Sequence, residues 1–319
     1  MNPRTKNTLF TEKKKCIINA DLDGMLSGII LHNILGWEII GFSMCNGRPN
    51  DELWLPQGMT IEQAISECVF IDLPVMLEHA TVIDQHFNAL DEDSINTFRT
   101  NENKINPNVS RGMNYISSER GYTRKYPFGT VHLIIAALEK YNYNINLNLD
   151  KDLGGFTSLD VLLRADRIIG NTITYTPNCK DWAEYLATDN HGKITNLIKS
   201  IVFSDNLSQY SIREHNVEEK LKSLGCARSD GDCSNLLSMG QIAKVNEIIA
   251  WLSSILGLNT PSIPNSLQES NALNGERYPL SIDNYLSIKR ILEDPDVFSY
   301  AIVNTRVLSV TRIKSNVLS

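Results

Sequence analysis

The stretch CIINADLDGMLSG, residues 16–28, carries the clearest signal of the fold in this chain. Its apolar run ends abruptly at Asp21, Asp23 and Gly24, and apolar residues then recur at helical spacing. The pattern predicts a buried strand, a turn at Gly24 and a helix that starts near Met25. In an open α/β sheet the carboxyl end of a strand faces the ligand crevice, so both aspartates are expected to project into it.

The two aspartates of this turn are open to two interpretations. Neighbouring carboxylates repel each other unless a cation lies between them, which favours a metal or catalytic site. Alternatively, Asp23 caps the helix by accepting hydrogen bonds from backbone N–H groups, and the turn is only structural. The residues of the turn alone support both interpretations.

Two further apolar runs also end in aspartate. The run VFID ends at Asp72, and the run TVID ends at Asp84, which Gln85 and His86 follow. Because the carboxyl ends of parallel strands meet at one edge of a sheet, these side chains are expected beside those of the first turn. Carboxylates brought together in this way assemble a two-metal cluster.

The first two strand ends resemble motifs of the DHH phosphoesterases, the superfamily of RecJ-type exonucleases, nanoRNases and manganese pyrophosphatases. Motif I of that family reads His-x-Asp-x-Asp-Gly. The present sequence is similar to it at Asp21, Asp23 and Gly24, with Asn19 at the first position. Asp72 matches the single aspartate of motif II.

The third strand end and a later segment resemble motifs III and IV of the same family. The Asp-His-His of motif III corresponds to Asp84, Gln85 and His86, with glutamine in place of the first histidine. Motif IV is an aspartate after a helix, and Asp166 in the run LLRAD looks like it. The resemblance covers about residues 15–190.

This resemblance implies a divalent-metal site for phosphate chemistry. It implies that His86 contacts the scissile phosphate and that Asp84 orients its neighbours. Amides stand where the family has histidine ligands, and an all-oxygen donor set favours Mn²⁺ or Mg²⁺, as one or two ions. The implied metal ligands are Asp21, Asp23, Asp72 as the bridge, Asp166, Asn19 and Gln85.

A basic segment follows the third strand end. It carries Arg111, Arg120, Arg124 and Lys125 against a single acid, Glu119. Each cation alone is typical of a solvated loop. Together, in an acidic protein, they are predicted to contact substrate phosphates.

Two residues further along are also candidate substrate contacts. His132 lies in the first turn of a predicted helix, where it either faces the crevice or serves as a core or capping histidine. Arg312 resembles the arginine that precedes a Gly-Gly-Gly-His signature in the small C-terminal substrate-binding domain of the family. The signature itself does not occur in this chain.

Composition and charge limit the classes of partner that this protein is expected to bind. The chain has 319 residues and a net charge of −7, which disfavours binding to long duplex nucleic acid. A short oligonucleotide or a small nucleotide stays compatible, since a local pocket can be basic. No apolar run is as long as a membrane span and no signal-peptide pattern is visible, so a cytoplasmic location without a membrane partner is expected. A homodimer is compatible with the sequence.

Strands that alternate with helical patterns predict an α/β fold whose parallel sheet is flanked by helices. The resemblance implies a DHH-type domain at residues 1–203 and a small C-terminal α+β domain at 265–319, and the polar, less patterned composition from Ser204 predicts a helical linker at 204–264. Alternating apolar residues predict two strands in that last region, at 298–303 and 306–313.

Three functions compete at this stage. The first is a metal-dependent phosphodiesterase or exonuclease that hydrolyses a short oligonucleotide or a small nucleotide. The second is a catalytically degenerate module that binds a nucleotide or a partner protein. The third is a haloacid-dehalogenase-type phosphatase, because Asp21 and Asp23 also resemble its nucleophile motif. Met25 replaces the threonine of that motif, and its late Gly-Asp-x-x-x-Asp is absent, so we favour the first function.

Overall fold

The structure of this chain is a computed structural model that describes residues 9–10, 13–117, 119, 121–187 and 192–314. Within these residues the chain is an α/β protein. It has a large, mostly parallel sheet flanked by helices and a small antiparallel sheet near the C-terminal end. The α/β class, the parallel sheet and the flanking helices are confirmed at this level.

Neighbouring parallel strands form the centre of the large sheet. In chain order, the strands of this sheet are β1 (Lys15–Asn19), β2 (Glu38–Met44), β3 (Glu52–Pro56), β4 (Cys68–Ile71), β5 (Thr81–Ile83), β6 (Lys104–Ile105) and β7 (Leu267–Glu269). Across the described part of the sheet their order is β6-β5-β4-β1-β2-β3-β7, and its antiparallel pairs are β2 with β3 and β3 with β7. Because β4 lies between β1 and β5, the three strand ends that lead into aspartates are adjacent.

Helices cover the sheet and connect its strands. Those of the described residues are α1 (Leu22–Leu35), α2 (Ile61–Glu67), α3 (Glu92–Thr100), α4 (Pro107–Ser110), α5 (Thr130–Lys140), α6 (Ser158–Arg164), α7 (Ile168–Thr174), α8 (Thr176–Leu186), α9 (Lys193–Val202), α10 (Ser208–Ser223), α11 (Ser234–Ser238), α12 (Ile242–Leu256) and α13 (Tyr285–Leu292). Short 3₁₀ turns lie at Tyr122–Arg124, Ala165–Arg167 and Ile282–Asn284. Of the helices in the described ranges, none combines the length and apolarity needed to cross a bilayer.

Helix α1 is the central helix, and it begins earlier than the sequence predicted. It starts at Leu22 rather than near Met25, because Asp21 is its N-cap and accepts a hydrogen bond from the N–H of Gly24 at 3.0 Å. Gly24 therefore belongs to the first helical turn. A Cβ there would lie 2.2 Å from the carbonyl oxygen of Asn19, so only glycine fits.

The two faces of the large sheet are buried differently. On one face α1 packs against α5 and α12 in an extensive apolar core. On the other face, strand residues pack against α2 and the small sheet, as the edge-to-face contact of Phe70 with Phe298 shows. The region predicted as a helical linker contributes Val217 and Ile248 to the main core. Its helix α10 packs on α6, and its helix α12 packs on α1.

The small sheet contains β8 (Leu273–Pro279), β9 (Val297–Asn304) and β10 (Val307–Ile313) in the order β8-β10-β9. The two strands predicted in this region are therefore confirmed. Strand β9 runs along the loops that follow β4 and β5. The N–H of Tyr300 donates to the carbonyl of Pro74 at 3.3 Å, and the N–H of Ile302 donates to that of Phe87 at 2.7 Å. The small sheet thereby supports the loops next to the candidate site.

Candidate metal centre

The carboxyl ends of three adjacent strands bring the candidate side chains to one edge of the large sheet. Asn19 is the last residue of β1, Asp72 follows β4, and Asp84 follows β5. The side chains of Asp72 and Asp84 are almost completely removed from solvent. A buried carboxylate is costly unless it is hydrogen-bonded or neutralised, so the partners of each group decide what the site can hold.

Asp72, Asp84 and His86 form one of two groups of potential metal ligands among the described residues; the other, His215, Glu218 and Glu219, lies on α10. One ligand atom from each lies within 4.8 Å of the other two. Nδ1 of His86 lies 2.6 Å from Oδ1 of Asp84 and 3.9 Å from Oδ1 of Asp72. Because the hydrogen bond to Asp84 uses Nδ1, Nε2 is the ring nitrogen left for a ligand.

Asn19 connects this group to the first turn. Its Nδ2 donates to Oδ2 of Asp21 at 2.8 Å and to Oδ2 of Asp72 at 3.1 Å. Its Oδ1 is buried and has no hydrogen-bond partner in the described part of the chain. Such an orphaned buried oxygen is rare and signals a missing partner, which a metal ion can supply.

Asp23 is held by the N-terminus of α5. Its two carboxylate oxygens accept from the N–H of Thr130 at 2.6 Å and from the N–H of Val131 at 2.9 Å. The Thr130 hydroxyl also donates to Oδ1 of Asp72 at 2.8 Å. A Cβ on Gly129 would come within 2.6 Å of the Asp23 carboxylate, so glycine permits this approach. Asp23 thus caps a distant helix, and Asp21 is the residue that caps α1.

Two candidate aspartates adopt left-handed backbone conformations. Asp72 has φ of 60° and Asp166 has φ of 54°. Non-glycine residues rarely adopt this region, and such residues cluster at functional sites. At Asp72 the conformation is held in place by the backbone N–H, which donates to the carbonyl of Ile83 at 2.9 Å.

The electrostatics of the group point to a missing positive charge. Burial, reinforced by the Asp23 carboxylate, raises the pKa of Asp72 well above its usual range. Burial and then the Asp166 carboxylate raise the pKa of Asp23 to about 7, against its hydrogen bonds from α5. Burial lowers the pKa of His86, but Asp84 and other nearby acids outweigh it and raise that pKa to about 9. A divalent cation would relieve the repulsion among the carboxylates.

Asp166 and a residue that sequence reasoning missed complete the acidic surroundings. Asp166 lies in the 3₁₀ turn after α6, and its carboxylate acts on the pKa values of Asp23, Asp72 and His86. The missed residue is Asp230, whose carboxylate raises the pKa values of Asp21 and Asp166.

A backbone hydrogen bond of its own segment brings Asp230 close to the other acids of the site. Its carbonyl accepts from the N–H of Leu22 at 3.1 Å, which joins the segment to the start of α1. The Asp-Gly-Asp sequence at residues 230–232 was the available signal for this residue. The signal for Thr130, also missed, was a Gly-Thr pair just before an apolar helix.

A cavity of about 90 Å³ opens beside the acidic group. Gln85, Lys125 and Asp166 line it, so two predicted metal ligands and one predicted substrate contact share one space. The Lys125 ammonium lies 4.6 Å from the centre of the Tyr122 ring. The lining of the cavity therefore combines the acid Asp166 with the cation Lys125, a combination that suits a metal-bound phosphate.

The other predicted substrate contacts are not among the residues that line this cavity. Arg111 forms an ion pair with Asp181 at 2.9 Å and stacks on the Trp182 ring. Arg124 is exposed, and Arg120 is outside the residues that the structure describes.

Two further predicted contacts are engaged by other groups. Arg312 forms an ion pair with Asp294. His132 is completely buried, with Nδ1 accepting from the N–H of Gly129 at 2.9 Å and Nε2 donating to the carbonyl of Leu162 at 3.0 Å. This is the capping role, and it leaves neither ring nitrogen for a substrate.

No protein-family model matches this chain, and a search of curated proteins found no match to its sequence.

Proposed function

We propose that this chain is a metal-dependent phosphoesterase of the DHH type, which uses Mn²⁺ or Mg²⁺ to hydrolyse a short oligonucleotide or a small nucleotide. The observation that carries the proposal is the grouping of Asp72, Asp84 and His86 beside the orphaned Oδ1 of Asn19. Carboxylate and amide oxygens are donors that fit Mg²⁺ or Mn²⁺.

The residues that would hold the ion are Asp72, the Asn19 amide that bonds to it, and the acids whose charges act on it. These acids are Asp21, Asp23, Asp84 and Asp166, and Gln85 lines the adjoining cavity. A bound divalent ion supplies a hydroxide nucleophile at neutral pH and neutralises phosphate charge. Asp84 belongs to the same group as Asp72 and His86, so in this proposal it is a metal ligand in addition to orienting His86.

The side chains of the protein have their own parts in this proposal. Asp84 fixes the ring of His86 through Nδ1, so that Nε2 can donate to a phosphate oxygen. Thr130 and the N-terminus of α5 hold Asp72 and Asp23 in place before any ligand arrives. Lys125 brings a positive charge to the cavity, where it can bind a phosphate that does not react.

Calorimetric titration with Mn²⁺ and Mg²⁺, together with hydrolysis of a short oligonucleotide with each ion and with EDTA, tests the proposal. We expect saturable metal binding and hydrolysis that EDTA abolishes. Binding of neither ion would overturn it. As a matched control, Asp205→Asn changes an exposed aspartate and should leave both measurements unchanged.

One observation favours the degenerate binding module as a second candidate. Asn19 and Gln85 replace the imidazole ligands of the family, and both oxygens of Asp23 are engaged by backbone N–H groups. A site of this kind could retain a nucleotide without turning it over. Nucleotide binding without metal-dependent hydrolysis in the same experiments would select this candidate.

A further inference from the structure

A second cavity lies at the edge strand β6 of the large sheet. Its volume is about 590 Å³, and residues of α3, β6, α4 and α5 line it. Among the described residues, none lines both this cavity and the one beside Asp166. We call it the edge cavity. Its volume is in the range of protein sites that bind small organic molecules.

Apolar side chains form part of the lining of the edge cavity. Phe98 of α3, Val109 of α4 and Ala137 of α5 belong to it. Two aromatic side chains, Phe10 and Tyr141, also line it and contact each other, with ring centroids 6.1 Å apart. The apolar part of a ligand would gain free energy by leaving water for these side chains.

The charged residues of this lining are mostly basic. Arg99, Lys104 and Lys140 line the edge cavity, and Glu102 is the acid among the described lining residues. Arg99 is neutralised in part by Glu92, whose carboxylate lies 3.8 Å away. The protein as a whole has a net charge of −7, so the lining is opposite in sign to the molecule. A local excess of cations attracts an anion.

Lys104 is the cation of this lining whose charge is least neutralised by its hydrogen bonds. Its ammonium donates to the carbonyls of Val75 at 3.2 Å and Met76 at 2.5 Å, and it lies 5.5 Å from the centre of the Phe98 ring. It forms no ion pair with a carboxylate in the described part of the chain. Burial lowers the pKa of Lys104 to about 8, against the attraction of Glu78. An anion bound in the cavity would stabilise this charge.

Tyr141 adds a hydrogen-bond donor that has no acceptor. Its Oη is buried and, within the described ranges, has no hydrogen-bond partner. Buried polar atoms without a partner are rare in folded proteins, and leaving them unpaired is unfavourable. A carboxylate is an acceptor that could satisfy this hydroxyl.

We propose that the edge cavity binds a small amphipathic anion, namely a carboxylate that carries an aromatic ring or a short aliphatic chain. The apolar part packs against Phe98 and Val109, and the carboxylate lies toward Lys104 and Lys140. Neither an uncharged apolar molecule nor a bare anion would use both parts of the lining. This ligand is separate from the substrate of the proposed function, and its binding needs no metal ion.

Calorimetric titration of the full chain with four compounds in the presence of EDTA tests the proposal. Two are amphipathic anions, 2-naphthoate with a ring and decanoate with a chain. The third, 2-naphthamide, keeps the ring without the charge, and the fourth, acetate, keeps the charge without a large apolar part. We expect at least one of the two anions to bind about tenfold or more tightly than both 2-naphthamide and acetate, because each of these lacks one of the two interactions.

Two variants test the cations of the lining. Lys104→Met and Lys140→Met each keep a long side chain and remove its charge. At least one of them should bind the tighter anion about tenfold more weakly, with little change for 2-naphthamide. Lys151→Met is the matched control, because Lys151 is exposed and does not line the edge cavity, and it should bind like the wild type. Thermal melts show whether each variant is folded, and Lys140 is exposed, so its replacement should be tolerated.

Two results would overturn the proposal. The first is that neither anion binds the wild type more tightly than both 2-naphthamide and acetate. The second is that Lys104→Met and Lys140→Met both bind the anion as tightly as Lys151→Met does. Because every titration contains EDTA, these results do not depend on the metal centre, and they leave the proposed function to its own test.

Discussion

The two sides of the candidate centre balance their carboxylates by different means. On the β5 side, the imidazole of His86 contacts Asp84 at 2.6 Å and carries a full positive charge when protonated. On the β1 side, neutral donors serve Asp21 and Asp23, namely the Asn19 amide and the backbone N–H groups of two helices. Dipoles can hold a buried carboxylate in place, but they do not cancel its charge.

This difference shows where a cation is needed most. The β5 side has its own cation, whereas the β1 side has none to balance Asp21 and Asp23 when they ionise. Asp72 belongs to both sides, since it accepts from Asn19 and lies 3.9 Å from Nδ1 of His86. We therefore expect changes at Asp72 to have the largest effect and changes around the cavity the smallest.

Replacing Asp72 by asparagine should break both sides at once. We expect turnover with a short oligonucleotide to fall roughly a thousandfold, because several kcal/mol of charge stabilisation depend on the metal. Without metal, the melting temperature should rise, since one buried like charge is removed. Rates and thermal melts of Asp72→Asn beside Asp205→Asn give the comparison. An unchanged rate would remove Asp72 from the site.

Acid should weaken the β1 side through His132, which caps the helix that holds Asp23. Burial lowers the pKa of His132 to about 4, from an unfolded value near 6.5. The folded state therefore binds fewer protons, so this contribution is complete above pH 6.5 and is lost as the pH falls toward 4. The shift corresponds to about 3 kcal/mol of unfolding free energy.

His132→Gln isolates this contribution, because glutamine at the same helical position can also accept from the N–H of Gly129. Denaturant unfolding at pH 7 and at pH 4.5 should show a smaller loss of stability in the variant than in the wild type. The raised pKa values of the aspartates make both proteins more stable as the pH falls. The effect of His132 is therefore measured as the difference between the two proteins in their change of unfolding free energy. Parallel losses would contradict the role of His132.

Histidine in place of the amides Asn19 and Gln85 should give both sides of the candidate centre an imidazole. In the double variant Asn19→His, Gln85→His, we expect Mn²⁺ to bind roughly tenfold more tightly and the optimum to shift from Mg²⁺ toward Mn²⁺. Titration of each ion and hydrolysis of a short oligonucleotide read out the change. A fully active wild type and a harmful double change would mean that the amides belong to a differently tuned site.

The cations of the basic segment should have the smallest effects. Lys125→Ala should raise KM a few-fold more than it lowers kcat, because Lys125 lines the cavity. If it binds a phosphate that does not react, it stabilises the bound substrate and the transition state equally. Arg111→Ala should mainly lower stability by about 1 kcal/mol, through its lost stacking on Trp182. Steady-state kinetics and thermal melts separate the two. Equal KM values in both variants would leave the basic segment without a role in binding.

The strand ends of the site could be predicted because an apolar run that ends at an aspartate is a pattern of neighbouring residues in the sequence. Asp72 and Asp84 lie directly after β4 and β5, as expected. The contact of Asp23 with Thr130 was out of reach, since it joins residues 107 positions apart through tertiary packing. Periodicity also carries no information about a single φ angle, so the left-handed conformations at Asp72 and Asp166 were not foreseen.

The backbone bonds of β9 to Pro74 and Phe87 have a consequence for the order of assembly. These two carbonyls lie just beyond Asp72 and His86, and their donors are Tyr300 and Ile302. During synthesis from the N-terminus, every candidate ligand leaves the ribosome long before β9 does. The loops after β4 and β5 therefore gain these backbone contacts only after β9 has been synthesised. Until then the candidate site of the growing chain lacks part of its support.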